Sequence, residues 1–241
     1  MIPAALSPWF VRPPGTHPAR LFCFPYAGAG ASAFSAWPDA VGDVQVCPVQ
    51  FPGRENRLGQ PHHGTYENLA AELVGPLTPL LDRPFALFGH CAGVLPAYET
   101  ALRLAELGLP EPACLVVSGR QAPHEPESDR MLTMTEDELR AELESVIRGR
   151  GIEPRPDVVD MGMAVLLSDL AADRAYHRVE PVRLGCPIVV VHWQDDPSVR
   201  VEELEGWRRY ADSVEVHVVR GGQHDFTTAP AELRELLTSW R

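Results

Sequence analysis

No run of apolar residues in this sequence is long enough to cross a membrane. The N-terminal stretch, MIPAALSPWFVRPPG, puts proline where a signal peptide needs a charged start and an apolar helix. The expectation is a cytoplasmic protein with no membrane partner. Positive charge is also short: 21 basic residues against 33 acidic ones leave a formal charge of −12 at pH 7. That balance argues against a nucleic-acid partner, and any acidic partner must be met by a local basic patch. The five cysteines include no Cys-x-x-Cys pair, and an odd count without such pairs suits neither a disulfide framework nor a zinc site. Cys23, Cys47, Cys114 and Cys186 lie in or beside apolar, strand-like runs and read as small buried hydrophobes. Repeats and low-complexity tracts are lacking as well. With 241 residues and 45% hydrophobic content, the chain fits a single domain, 1–241, with a sizeable core.

Cys91 alone sits in a turn, and the chain is organised around that turn. In PFALFGHCAGVLPA, residues 84–97, a short apolar run meets Gly89-His90-Cys91-Ala92-Gly93 and then a helical pattern. Strand, sharp turn and helix, with glycines two before and two after the central residue, describe a nucleophile elbow. Such a turn holds its central side chain clear of the backbone at a helix N-terminus, where unpaired amides and the helix dipole favour negative charge.

Around the elbow the pattern alternates. Strands are expected at 21–24, 44–51, 85–88, 113–118, 187–192 and 214–219. Helices are expected at 65–81, where Pro76 and Pro79 must kink or end the helix, and at 92–107, 202–210 and 231–240. Between 124 and 179 the pattern is helical and charged, with Thr135 and Glu138 as a capping-box pair and a second helical stretch over 158–176. This segment reads as a helical lid above the carboxyl edge of the sheet. The fold class is α/β: an α/β-hydrolase architecture with a mostly parallel sheet and helices on both faces.

Three residues follow strand ends in the order nucleophile, acid, histidine: Cys91, Asp196 and His224. In the expected roles, His224 takes the Cys91 proton and later returns one to the leaving group, while Asp196 orients the imidazole. Asp195 is the rival acid. The amide of Ala92 and one from the Pro25–Gly28 loop, Ala27 by choice, would form the oxyanion hole. These groups supply nucleophile, base and oxyanion donors by themselves, so no cofactor and no metal is implied. His62, His63, His177 and His217 offer no comparable context.

The chain also resembles a family, the stand-alone type II thioesterases of nonribosomal peptide and polyketide assembly lines. The likeness runs from about Pro8 and rests on RLFCFPYAGAGASAF (20–34), VQFPGRENR (49–57), FALFGHCAG (85–93) and LVVSGRQAP (115–123). The Asp169–Tyr176 spacing, DDP (195–197) and GGQHDF (221–226) complete it. The family's serine falls on Cys91, its aspartate on Asp196, its histidine on His224 and its oxyanion amides on Ala27 and Ala92. The resemblance implies hydrolysis of acyl groups from the phosphopantetheine arm of an acyl or peptidyl carrier protein. The chain departs from the pattern in Cys91 itself, in Leu167 where the lid usually has arginine, and in RGRGIEP at 148–154.

The thiol changes the energetics. Passing an acyl group from pantetheine to serine is downhill to an oxygen ester, whereas passing it to cysteine exchanges one thioester for another and keeps the group activated. Hydrolysis is therefore expected beside an alternative, acyl transfer or cyclising release to a nucleophile other than water. A non-catalytic carrier-binding protein is the third possibility. With net charge acidic, carrier recognition is expected to use local arginines such as Arg54, Arg57, Arg120, Arg148 and Arg150.

Overall fold

A computed structural model describes residues 7–12, 15–125, 130–149, 151, 153–176 and 180–241. Its centre is a seven-stranded sheet in the order β2-β3-β1-β4-β5-β6-β7. The strands are β1 (Ala19–Phe24), β2 (Ala40–Val41), β3 (Val44–Pro48), β4 (Phe85–His90), β5 (Leu115–Ser118), β6 (Ile188–Trp193) and β7 (Val214–Val219). All neighbours pair in parallel except β2, a two-residue strand antiparallel to β3. Strands β1 and β4 are buried at every position, as a parallel sheet covered on both faces demands. Two apolar layers result. One packs Phe22, Leu87, Val117 and Val190 against α1 (Tyr66–Leu77) and α2 (Val94–Glu106); the other packs Phe34, Phe88, Trp193 and Phe226 against α5 (Ala231–Leu236). This is the α/β-hydrolase fold.

The expected strands and the two helices flanking the elbow are present within a few residues. Helix α1 starts at the Thr65 cap, whose hydroxyl accepts from the Asn68 amide at 3.2 Å, and ends near Pro76. The remainder of the expected helix tightens into a 3-10 turn, Thr78–Leu80. Residues 201–209 are also wound as 3-10 rather than α. The reason lies in the spacing: Leu204, Trp207 and Tyr210 recur every third residue, the period at which 3-10 side chains eclipse, and all three are buried. Helix α5 is shorter than the 231–240 pattern implies, and β2 is too short to carry any periodicity.

Between β5 and β6 lies a helical insertion built from α3 (Glu136–Gly149) and α4 (Pro156–Ala175). Among its described residues there is no strand. The capping box forms as read: Glu138 accepts from the Thr135 amide at 2.7 Å, and the Glu138 amide donates to the Thr135 hydroxyl at 3.3 Å. The apolar face of α4, with Val159, Met163, Leu166 and Leu170, packs with Leu139 of α3 onto Ala27, Ala92 and Cys91. The insertion therefore covers the carboxyl edge of the central strands.

Candidate active site

Strand β4 ends at His90 and the chain turns at once into a 3-10 segment, Cys91–Gly93, that runs into α2. Cys91 adopts φ +50°, in the left-handed region that L-residues rarely occupy. The two glycines make this possible. A Cβ on Gly89 would lie 2.4 Å from the Val94 Cα, and one on Gly93 would lie 2.5 Å from the carbonyl oxygens of both Phe24 and Pro25. Strand, helix and the β1 loop approach each other too closely for any other residue. Cys91 is half-buried, while Cys23, Cys47, Cys114 and Cys186 are buried, as their apolar contexts suggest. Burial pushes the Cys47 and Cys114 thiols up to about 12 and the Cys186 thiol to about 11, so all three stay protonated and inert.

After β1, the loop folds into a tight turn closed by the Ala29 amide donating to the Tyr26 carbonyl at 3.1 Å, with Gly28 at φ +77°. Ala27 occupies its corner, and among the described residues no acceptor meets its N–H. Ala27 and Ala92 are both buried beneath α4 in the same apolar cluster as Cys91.

The other two predicted residues reach the same edge from β6 and β7. Asp196 follows β6 in a turn closed by its own amide on the Trp193 carbonyl, and is buried; Asp195 is exposed. The Asp195 amide donates to the Gly221 carbonyl at 3.0 Å, tying the acid loop to the histidine loop. In that second loop Asp225 accepts from the Gly222 amide at 2.8 Å and fixes the 3-10 turn Gln223–Thr228 that carries His224. The imidazole of His224 is exposed. Asp196 Oδ1 accepts from the Ser198 amide at 2.8 Å, but buried Oδ2 has no hydrogen-bond partner among the described residues, so Asp196 and His224 are not bonded to each other here. Oδ2 faces the Gly119 turn at the end of β5, 3.8 Å from where a Cβ on that glycine would stand.

Beneath the edge runs a polar seam that the sequence did not announce. Trp193 Nε1 donates to Ser118 Oγ at 3.0 Å, and Ser118 Oγ lies 3.0 Å from His90 Nδ1. The His90 ring stacks on Phe226 at 3.8 Å. Burial, reinforced by nearby His224, holds His90 down at about 3, so it is neutral at ordinary pH.

A second cluster joins the insertion to the body. Asp169 of α4 accepts from Arg54 through both oxygens, Nη1 at 2.6 Å and Nη2 at 2.7 Å, and from the Gly28 amide at 2.7 Å. His62 Nε2 lies 2.7 Å from its Oδ1, which places the ring proton there. Burial opposes ionisation of Asp169, yet His62, Arg54 and the Gly28 amide outweigh it and hold the carboxyl at about 2. Desolvation and neighbouring His62 hold His63 at about 3. The ligand-type atoms of His62, His63 and Asp169 fall within 4.8 Å of one another. Arg54 already occupies both Asp169 oxygens with a fixed positive charge, so the cluster has the chemistry of an ion pair rather than a metal centre. Helix α4 is tied down twice more, by Asp173 to Arg120 at 2.8 Å and by the Tyr176 hydroxyl to Glu99 at 2.6 Å.

These bonds correct one expectation. Arg54 and Arg57 are 2% and 5% exposed and serve the interior, Arg57 lying over the Trp9 ring with its guanidinium carbon 4.0 Å from the ring centroid. Arg120 is occupied by Asp173, Arg148 pairs with Glu144, and Arg150 lies outside the described residues. The first three do not form a surface for a carrier. All 21 residues counted as basic at pH 7 are arginines; lysine does not occur.

The Thioesterase domain family matches residues 19–239. RedJ, the thioesterase from the prodiginine biosynthetic pathway of Streptomyces coelicolor, is 36% identical with a TM-score of 0.75, covering 95% of this chain and 90% of that one. The gramicidin S biosynthesis protein GrsT of Aneurinibacillus migulanus is 33% identical over 84% of this chain and 81% of its own. A protein named linear gramicidin dehydrogenase LgrE, from Brevibacillus parabrevis, is 30% identical over 97% of this chain and 92% of its own.

Proposed function

Because the chain belongs to the thioesterase family, we propose that it releases acyl groups from the phosphopantetheine arm of carrier proteins in nonribosomal peptide or polyketide biosynthesis, through an acyl-Cys91 intermediate. The observation that carries this reading is Cys91 itself, forced to φ +50° at the head of α2 with the Ala27 loop beside it. The Cys91 sulfur adds to the thioester carbonyl carbon, the Cys91 proton passes to His224, and the carbonyl oxygen takes the negative charge between the Ala27 and Ala92 amides. The intermediate collapses as the bond to the pantetheine sulfur breaks and His224 returns the proton to that sulfur. Water, deprotonated by His224, repeats the addition and leaves free acid and the Cys91 thiol. Asp196 is poised to orient His224 once the imidazole turns inward, because its Oδ2 is buried and without a partner among the described residues.

Acyl transfer is supported by a separate observation. The apolar face of the insertion, with Met163 and Leu166, packs directly over Cys91, an arrangement that keeps water from an activated thioester. Hydride transfer, which the name of LgrE would suggest, fits poorly. The residues 28–33, GAGASA, resemble a dinucleotide fingerprint, but they lead into a 3-10 turn of four residues rather than a long helix. The Glu55 carboxylate accepts from Ser32 Oγ at 2.6 Å and crowds Gly30, filling the place a pyrophosphate would need.

The test is intact-mass analysis after mixing with an acyl-loaded carrier protein, with and without amine or thiol acceptors. Formation and decay of a mass shift at Cys91 to free acid supports hydrolysis. Persistence in water with rapid discharge to an acceptor identifies transfer. No mass shift at Cys91 with any acyl carrier would discard both.

A further inference from the structure

Asp169 belongs to the insertion, yet its firmest contacts are with the loop after β1. Its Oδ2 accepts the Gly28 amide at 2.7 Å, and Arg54 Nη1, bound to the same oxygen, donates to the next carbonyl, that of Ala29, at 2.9 Å. One turn earlier on α4, Leu166 rests on the same glycine, its Cδ1 3.2 Å from where a Cβ would be. Gly28 and Ala29 follow Ala27 in a turn that the Ala29 amide closes on the Tyr26 carbonyl, so the backbone just beyond the Tyr26–Ala27 peptide, which carries the Ala27 N–H, is held by a carboxylate, a guanidinium and an isobutyl group. Two of those three side chains come from the insertion. Asp169 is 4% exposed and Arg54 2%, so the pair is shielded from water, and an ion pair of this kind is worth more for the geometry it fixes than for net stability.

We propose that Asp169 is a positioning residue for the oxyanion loop, and that the loop is set for catalysis only while α4 is docked. The inference rests on the thioesterase reading above and adds that the insertion does more than cover Cys91. Lifting α4 withdraws Asp169 and Leu166 from Gly28 together, so a carrier arm can enter an open site that is not yet able to stabilise an oxyanion. Redocking over the acyl group restores the loop. Acylation is thereby tied to closure, and the open site cannot attack an incompletely seated thioester.

The experiment compares two reactions of Cys91 in the full-length parent, Asp169→Asn and Leu166→Ala proteins. Single-turnover acylation by an acyl-pantetheine thioester develops an oxyanion. Alkylation by iodoacetamide is displacement at a saturated carbon, develops none, and reports only access and thiol reactivity. Asn at 169 must turn an NH2 group toward Arg54, His62 or the Gly28 amide, so the loop's anchor loses its charge and part of its bonding while side-chain size is kept. Asp169→Asn is expected to slow acylation by about 100-fold, mostly in kcat rather than KM, with alkylation within about threefold of the parent. Leu166→Ala, which leaves the ion pair intact, is expected to slow acylation by about tenfold. Equal losses in both reactions for both variants would reduce Asp169 to a structural residue, and acylation of Asp169→Asn at the parental rate would overturn its assignment alone. A parent that is alkylated at Cys91 but never acylated would instead overturn the thioesterase reading, and the oxyanion role with it.

Discussion

The two halves of the candidate site are held in different ways. The nucleophile half is held by backbone: Cys91 cannot leave φ +50° without parting strand from helix, and Gly89 and Gly93 leave no room for rearrangement. The acid–base half is held by loops that are tied to each other through Asp195 and Gly221, while the side chains they carry are not joined. Asp196 Oδ2 is buried without a partner among the described residues, and His224 is exposed. A group whose position is sterically forced is ready before substrate arrives. A group set by a rotamer can be completed afterwards, as catalytic hydrogen bonds often are.

Breaking the comparison at its strongest point gives the largest effect. Cys91→Ala should abolish acyl-enzyme formation, and His224→Ala should slow it by about 10³-fold or more, because nucleophile and base act as a unit. Single-turnover acylation read by intact mass checks both. Gly93→Ala should come next: its Cβ would overlap two carbonyl oxygens, so denaturant unfolding should show a loss of about 2–3 kcal/mol, with acylation impaired in whatever remains folded. Asp196→Asn should lower kcat/KM by about 10–100-fold and Asp195→Asn by less than about threefold, since only the first is buried facing the site. The reverse order would move the acid to Asp195. The last prediction concerns pH and the whole fold rather than the rate at the site. His63 and His90 stay neutral in the fold down to about 3, whereas an imidazole in the unfolded chain takes up its proton near 6.5. The unfolded state is then the stronger proton binder, and stability falls as pH drops from about 6 to 4.5, by roughly 1.4 kcal/mol per pH unit for each imidazole. His90→Gln should remove about half of that slope, measured as the denaturant midpoint against pH.

The elbow was legible because its signal is local and steric: two glycines around one residue at the junction of a strand and a helix. The central strands were legible for a similar reason, since parallel strands covered on both faces must be apolar throughout. What the sequence could not carry lies in pairings distant along the chain. Asp169 lies more than one hundred residues from both Arg54 and His62, and nothing about an arginine in a Pro-Gly-Arg loop distinguishes a buried ion pair from a solvated charge. Three of the arginines expected to greet a carrier, Arg54, Arg57 and Arg120, were misjudged on this account. One trace was present in the Asp169–Tyr176 spacing, whose two ends and Asp173 between them prove to be the ties of α4 to the body. The 3-10 winding of 201–209 was also visible, as a period of three that was taken for 3.6.

Cys91 stands half-open in a protein with no lysine, and this has a consequence for the protein's own survival. An acyl thioester is an acylating agent, and the usual victims of such agents are lysine amines. Arginine remains protonated and is a poor nucleophile at any pH the protein would meet. A cysteine-bound acyl group here can wait for its acceptor with no side-chain amine in the molecule to capture it. The four remaining thiols are sealed in the core. Capture by a side-chain amine is closed to the intermediate, so a long-lived acyl-enzyme is spared that form of self-damage.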